Sequence, residues 1–308
     1  MIGLVFKSTG SWYSVQDEEG NFWDARIKGK LKTDLDISST NPVAVGDKVI
    51  FEIEDENVKT AIISGIKDRH NYIVRVSPHN KNQKHIIASN IDLALLVTSI
   101  ADPRTSTGFI DRFLLTAEAY HIPAIIVVNK IDLVKNKQND VLEIWKHIYG
   151  LAGYELYPVT GTDISTLASL EMKIRNKTTL FSGHSGVGKS TLINQMIPGI
   201  GQKTKVVSGW SGKGQHTTTF AEMFILPGGG KIIDTPGVKE FGLIDFEKEE
   251  LSQYFPEMKE VLKKCKFNNC LHMNEPGCAV KPAIHDGRIS EERYLSYRAI
   301  LDSIEKKW

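Results

Sequence analysis

Cysteine is scarce in this sequence. The chain holds three in 308 residues, an odd number that argues against a secreted scaffold stapled by disulfides. Long apolar stretches are missing as well. The longest runs, Leu93–Val97 and Ala124–Val128, fall far short of the roughly 20 residues that a membrane helix needs. The N-terminus, Met1-Ile2-Gly3-Leu4-Val5-Phe6-Lys7, lacks the basic and long apolar regions of a signal peptide. These absences predict a cytoplasmic protein with no membrane partner. A net charge of +1 gives no general case for nucleic-acid binding, so only local patches could serve an RNA surface. There is no low-complexity tract and no evident repeat. The length allows two domains, or two plus an appendage.

What is present changes character along the chain. Gly3–Lys7, Trp12–Gln16, Phe22–Ile27, Val43–Ile53 and Thr60–Ile66 are rich in β-branched and aromatic residues, and read as short strands. Asp17-Glu18-Glu19-Gly20-Asn21 is a hairpin turn signal between the second and third. Five short strands within residues 1–68 predict a small β-barrel of the OB or SH3-like kind. Residues 69–90 are polar and basic, with Arg69, His70, Arg75, His79, Lys81, Lys84 and His85, and read as a solvated linker. From Ile91 the pattern alternates. Apolar runs at Ile91–Ser99, Ala124–Val128, Leu156–Val159 and Thr179–Phe181 are separated by helical spacing at Phe109–Tyr120, Asp140–Leu151 and Ile164–Ile174. Such alternation predicts an α/β domain with a mostly parallel sheet covered on both faces. That domain spans residues 91–242 and includes two later strand candidates, Thr218–Leu226 and Lys231–Asp234. Residues 243–308 read as a helical module.

The motif at the centre is Gly183-His184-Ser185-Gly186-Val187-Gly188-Lys189-Ser190, which fits the phosphate-binding pattern G-x-x-x-x-G-K-[ST]. An apolar strand leads into it and a helical segment from Thr191 follows. Glycines let backbone N–H groups turn toward phosphate oxygens, and the helix N-terminus adds its positive dipole end. By itself this predicts only a nucleoside triphosphate, and leaves kinases, ATPases and GTPases open.

Asn129-Lys130-Ile131-Asp132 narrows the choice. A carboxylate at Asp132 can accept from guanine N1–H and the 2-amino group, whereas adenine would leave it unpaired. Such polar pairing discriminates by about 10⁴ or more. Asn129 would tie the strand end to the phosphate loop, and the aliphatic stem of Lys130 would lie along the base. Thr160-Gly161 is a candidate backbone contact to guanine O6. Asp234-Thr235-Pro236-Gly237 ends another strand. Asp234 would hold Mg²⁺, usually through water, and the Gly237 N–H would meet the γ-phosphate. Gly214-Gln215-His216-Thr217-Thr218-Thr219 fits a switch loop. One of its threonines would complete the Mg²⁺ shell with Ser190, and Thr218 is the choice among three adjacent candidates. Lys189 would neutralise the β- and γ-phosphates.

Two departures from ordinary small GTPases stand out. The N-K-x-D element precedes the phosphate loop, so the order of elements reads as a circular permutation. Where many GTPases carry a water-orienting Gln after D-x-x-G, this chain has Val238. His216 becomes the candidate for positioning the attacking water, since its ordinary pKa near 6.5 allows either protonation state.

All three cysteines fall together as Cys265-x₄-Cys270-x-His272-x₅-Cys278. Three thiolates and an imidazole predict one closed, tetrahedral, structural Zn²⁺ site, with His285 as the reserve fourth ligand. Competing readings are a P-loop ATPase or kinase, which N-K-x-D disfavours. Another is a non-catalytic RNA-binding scaffold, which intact Lys189, Ser190, Asp132 and Asp234 disfavour.

On Pro42–Asp47, Asn129–Asp132, Gly183–Ser190, Gly214–Thr219, Asp234–Gly237 and Cys265–Cys278, in that order, the chain resembles the bacterial ribosome small-subunit-dependent GTPases, the RsgA (YjeQ/YloQ) family. The resemblance covers essentially the whole chain. It implies an OB domain, a circularly permuted GTPase domain and a zinc module. It further implies GTP hydrolysis stimulated by the small (30S) ribosomal subunit, a role late in that subunit's assembly, and contacts to its 16S rRNA. GTP and GDP with Mg²⁺ are then the ligands, and a monomer the expected state. A permuted GTPase serving a different ribosomal or RNA partner remains the alternative.

Overall fold

The computed structural model describes residues 1–29, 41–76, 84–134, 137–201, 221–235 and 247–305. The chain opens with β1 (Ile2–Ser8), β2 (Tyr13–Gln16), β3 (Phe22–Ile27), β4 (Lys48–Asp55) and β5 (Thr60–Ile66). A pair, β6 (Tyr72–Val76) and β7 (Lys84–Ser89), comes next. Alternation then begins: β8 (Leu93–Ser99), α1 (Thr107–Ala119), β9 (Ala124–Asn129), α2 (Lys137–Leu151) and β10 (Glu155–Pro158). It continues with α3 (Ala168–Ile174), β11 (Thr178–Ser182), α4 (Lys189–Met196), β12 (Glu222–Ile225) and β13 (Lys231–Asp234). Among the described residues, the α-helices α5 (Pro256–Lys259), α6 (Val280–His285) and α7 (Glu291–Glu305) follow. The chain divides into two compact units, Met1–Leu95 with Gly161–Gly242, and Leu96–Thr160 with Leu243–Trp308.

In the first unit β1 pairs antiparallel with β2 and β4, β2 with β3, and β4 with β5, while β3 runs parallel to β5. These pairings close a five-stranded barrel. Strand side chains alternate between faces, and the inward set is Val5, Tyr13, Val15, Trp23, Ala25, Val49, Phe51, Ala61 and Ile63, all buried. The expected hairpin turn forms around Asp17. Its carboxylate accepts from the N–H groups of Glu19 and Asn21 and from the Trp23 indole at 2.8 Å. The stretch Val43–Ile53 is not strand throughout. Regular pairing begins at Lys48, because Gly46 adopts φ +93° and a Cβ there would meet the Ser89 carbonyl oxygen at 2.2 Å.

Residues 69–90, read from sequence as a solvated linker, contain the antiparallel pair β6–β7. Their register shifts between Ile73 and Val74, and both side chains are buried. This shift erases the period-2 alternation that marks a strand in sequence. The segment is fastened by Asp47, which is fully buried. Asp47 accepts from Arg69 Nε at 2.6 Å, Ser89 Oγ at 2.5 Å and the Ala44 N–H at 2.8 Å. Beyond the barrel, β12 pairs with β1 at Lys7 and Glu222, whose side chains are 3.1 Å apart. β13 lies antiparallel to β12 and parallel to β11.

In the second unit β10 runs parallel to β9, and Thr98 at the end of β8 donates to the Val127 carbonyl at 2.9 Å. Ser106 caps α1 by accepting from the Phe109 N–H. The C-terminal helices share one core with α1: Leu115 packs with Leu251, Phe255, Met258, Val280, Tyr297 and Leu301. At its heart sits Arg293, 1% exposed, which donates to Glu257 at 2.7 and 3.1 Å and to Asp111 on α1 at 2.7 Å. Among the described residues no helix is long and apolar enough to cross a membrane.

Candidate functional site

The phosphate loop leaves β11 directly. Gly186 and Gly188 adopt φ of +89° and +94°, a region costly for residues with a Cβ. The chain therefore turns back on itself and enters α4 at Lys189, with Gly188 as the capping residue. The Lys189 ammonium donates to the carbonyls of Gly183 at 2.7 Å and His184 at 3.4 Å. Burial pushes its pKa down, while the Asp234 carboxylate pulls it partly back. Asp234 is 1% exposed and pairs in register with Phe181, two residues before the loop opens. Thr235 reinforces that link, donating from Oγ1 to the Phe181 carbonyl at 3.0 Å. The first unit thus brings together Gly183–Ser190, the start of α4 with Thr191, and Asp234. Gly237, Val238, His216 and Thr218, with the rest of Gly214–Thr219, lie outside the described residues.

The base-reading candidates sit at the end of β9 in the second unit. Asn129 is 2% exposed, and its Oδ1 accepts from the Lys130 N–H at 2.8 Å. Lys130 adopts φ +62°, and its Nζ donates to the Asp102 carbonyl at 2.6 Å. Asp132 lies exposed in the 3-10 turn Ile131–Leu133. The Ile131 N–H donates to the Val159 carbonyl at 3.2 Å, which sets this turn beside the end of β10 and Thr160. Gly161 follows, buried. Sequence reasoning missed the loop that holds Lys130. Nothing local marks Asp102 as a partner for a residue 28 positions away.

A third constellation lies in the C-terminal module. One donor atom each from Cys265, Cys270, His272 and Cys278 falls within 4.8 Å of the others. His272 Nδ1 is 3.5 Å from Cys278 Sγ and 3.8 Å from Cys265 Sγ. Tetrahedral Zn²⁺ with bonds of about 2.3 Å to sulfur and about 2.0 Å to nitrogen spaces such atoms by roughly 3.5 Å. The donor set therefore fits that ion. Burial, chiefly, pushes the Cys270 thiol up to about 12, so metal binding there must displace a proton. Burial lowers the His272 pKa, which favours the neutral imidazole that metals require. The ligand loop is pinned by groups sequence reasoning did not single out. Glu275 accepts from the N–H groups of Leu271 and Met273, while Tyr294 and Tyr297 donate to the carbonyls of His272 and Leu271. His285, the reserve ligand, is set aside: its side chain is 92% exposed and faces Asp286.

Comparison with known proteins bears on all three parts. The model of the RsgA GTPase family matches residues 66–244, and that of the RsgA N-terminal domain matches residues 2–63. The chain belongs to the RsgA GTPase family. A relative from Flavobacterium psychrophilum, named small ribosomal subunit biogenesis GTPase RsgA, is 50% identical over 309 residues. The match spans 100% of this chain and 94% of that one. A Bacteroides fragilis protein of the same name is 46% identical, over 99% of this chain and 98% of its own length. Among solved structures, YloQ, described as a circularly permuted GTPase, aligns with a TM-score of 0.76 at 32% identity, covering 100% of this chain and 96% of its own. YjeQ from Thermotoga maritima aligns at 0.80 and 29% identity, over 100% and 99%. The RsgA fold, with its closed N-terminal barrel and permuted GTPase domain, is thus the fold of this chain.

Proposed function

We propose that this protein hydrolyses GTP and acts as a nucleotide-dependent switch in late assembly of the small ribosomal subunit, its hydrolysis stimulated by that subunit. The observation that carries this reading is full-length identity of 50% to a small ribosomal subunit biogenesis GTPase. The phosphate loop and N-K-x-D element stand intact within that likeness.

The residues divide the work by chemistry. N–H groups of Gly186–Ser190 at the start of α4 would cradle phosphate oxygens. The Lys189 ammonium, donating to loop carbonyls at 2.7 and 3.4 Å, would exchange those acceptors for the β- and γ-phosphates. Asp132 would read the guanine edge, and Thr160-Gly161 would face O6. The Ser190 hydroxyl and the buried Asp234 carboxylate are hard oxygen donors of the kind Mg²⁺ takes, with Thr218 as the proposed third. When bound, that ion neutralises charge on the β- and γ-oxygens. Gly237 would sense the γ-phosphate, and His216 would orient the attacking water in place of a Gln. Loss of the γ-phosphate would release both switch segments. The Cys₃His cluster would hold one structural Zn²⁺ and take no part in hydrolysis. The barrel and the zinc module would supply contacts to 16S rRNA, and the protein would work as a cytoplasmic monomer.

GTPase activity measured with small subunits, with large subunits and with neither tests the reading. Selective stimulation by small subunits is expected. No stimulation, or equal stimulation by large subunits, would overturn the assignment of the partner.

A further inference from the structure

We infer that Thr105 is a positioning residue for the nucleotide base, acting through Lys130. This rests on the reading of Asn129–Asp132 as the guanine-binding element.

Lys130 is held at both ends. At its root the backbone adopts φ +62° and donates to Asn129 Oδ1 at 2.8 Å, which fixes where the side chain departs. At its tip the ammonium donates to the Asp102 carbonyl at 2.6 Å. A lysine stem has about 2 kcal/mol of rotamer entropy to lose, so a stem already held is pre-organised to lie against a flat ring. The tip is only as firm as the loop that offers the carbonyl. That loop, residues 100–104, hangs from the end of β8, and its two ends are clipped together. The Thr105 N–H donates to the Ser99 carbonyl at 2.8 Å, and the Ser99 N–H donates to Thr105 Oγ1 at 3.0 Å. Ser99 and Thr105 are 0% and 1% exposed, so both bonds lie out of bulk solvent. Beside the clip, Arg104, Thr105, Ser106, Thr107 and Trp145 line a half-open depression of about 230 Å³. With the hydroxyl removed, the Ser99 N–H is left buried without an acceptor and the loop has room to sag. The carbonyl that anchors Lys130 moves with it.

The stem touches a purine ring whatever its edge groups, whereas Asp132 reads the edge. The two contributions therefore separate in a nucleotide panel. In full-length protein, Thr105→Val should weaken GDP and IDP binding in parallel, by about fivefold, the size of one hydrogen bond. The kcat at saturating GTP should hold. Thr105→Ser, which keeps the hydroxyl, should restore affinity. Lys130→Met should lose a similar amount, and Thr105→Val should add nothing in that background, because both cut the same connection. Should Thr105→Val fail to fold, Lys130→Met and Thr105→Ser carry the test: full GDP affinity in the first, or lost affinity in the second, would overturn the proposal. So would wild-type GDP affinity in folded Thr105→Val, or additive losses in the double variant. Asp132→Asn separates this from the underlying reading. If it exchanges GDP for XDP preference while Thr105→Val binds normally, only the clip is wrong. If it leaves GDP binding untouched, the base-reading element itself is wrong.

Discussion

Arg293 is the centre of a buried charge cluster in the second unit. Its guanidinium is 1% exposed and faces two carboxylates, Glu257 at 2.7 and 3.1 Å and Asp111 at 2.7 Å, with side chains only 1–2% exposed. The rings of Phe255, Tyr154 and Tyr149 surround the cation at 4.7, 5.7 and 5.9 Å. Replacing Arg293 by Met keeps most of the packing and removes the charge. Two buried carboxylates then face each other with no cation, a situation that costs about 3–5 kcal/mol. In a unit of roughly 130 residues each kcal/mol moves Tm by about 3–5 °C, so a fall of roughly 10–20 °C is expected. Thermal unfolding followed by near-UV circular dichroism measures it directly.

The pH dependence gives that expectation a sharper edge. Burial already holds the Asp111 carboxyl above the usual carboxylate range, and Arg293 pulls it partway back. Without Arg293 it rises further. A carboxyl whose folded pKa is raised binds more protons when folded than when unfolded, so stability falls as pH rises between the two values. The deficit of Arg293→Met should therefore be smaller at pH 5 than at pH 8. Removing all three charges, with Asp111→Asn and Glu257→Gln added, should recover most of the loss, since the cost lies in uncompensated charge. A drop below about 1 kcal/mol, a deficit equal at both pH values, or no recovery in the triple variant would refute the reasoning.

Two further expectations concern the other parts of the chain. Purified protein should carry one Zn²⁺, and a strong chelator should unfold the C-terminal module, seen as lost near-UV signal from Tyr294 and Tyr297. Retained structure after complete metal removal would count against a structural role. The barrel should be acid-labile. Hydrogen bonding, first from the Trp23 indole, holds the Asp17 carboxyl below its usual range. Its contribution is complete above the unfolded carboxylate pKa of about 3.9 and is lost as pH falls through the lower folded value. Asp17→Asn should flatten the acid limb of a tryptophan-fluorescence titration, and an unchanged limb would dismiss Asp17 as the cause.

What the sequence made legible was chemistry compressed into short segments. Gly183–Ser190, Asn129–Asp132 and Cys265–Cys278 each carry their meaning in contiguous residues, and their order alone revealed the permutation. The barrel strands were legible because inward residues alternate strictly, as Tyr13 with Val15 and Trp23 with Ala25. The pair β6–β7 was not, because the shifted register at Ile73 and Val74 breaks the alternation amid basic residues. Asp47 sits within Val43–Ile53, which reads as strand. That it is a buried acceptor for Arg69 and Ser89 depends on partners 22 and 42 positions away.

The same limit hid how the C-terminal module is attached. In sequence order the module simply follows Gly242, so the one path visible there is the chain itself, behind the D-x-x-G segment. The second unit contains another. Arg293 on α7 reaches 182 positions back to Asp111 on α1, and Leu115, one turn further along α1, joins the core of the C-terminal helices. Each residue by itself reads as an ordinary charge on an amphipathic helix, so no local pattern could have paired them. At its other end α1 begins immediately after Thr105 and Ser106, where the loop that anchors Lys130 is clipped to β8. A single helix of 13 residues therefore connects the buried charge cluster under the zinc module to the anchor of the residue proposed to lie along the base. Any displacement of α7 that strains the Arg293–Asp111 contact must either break that contact or move α1. Closely packed helices do not deform continuously.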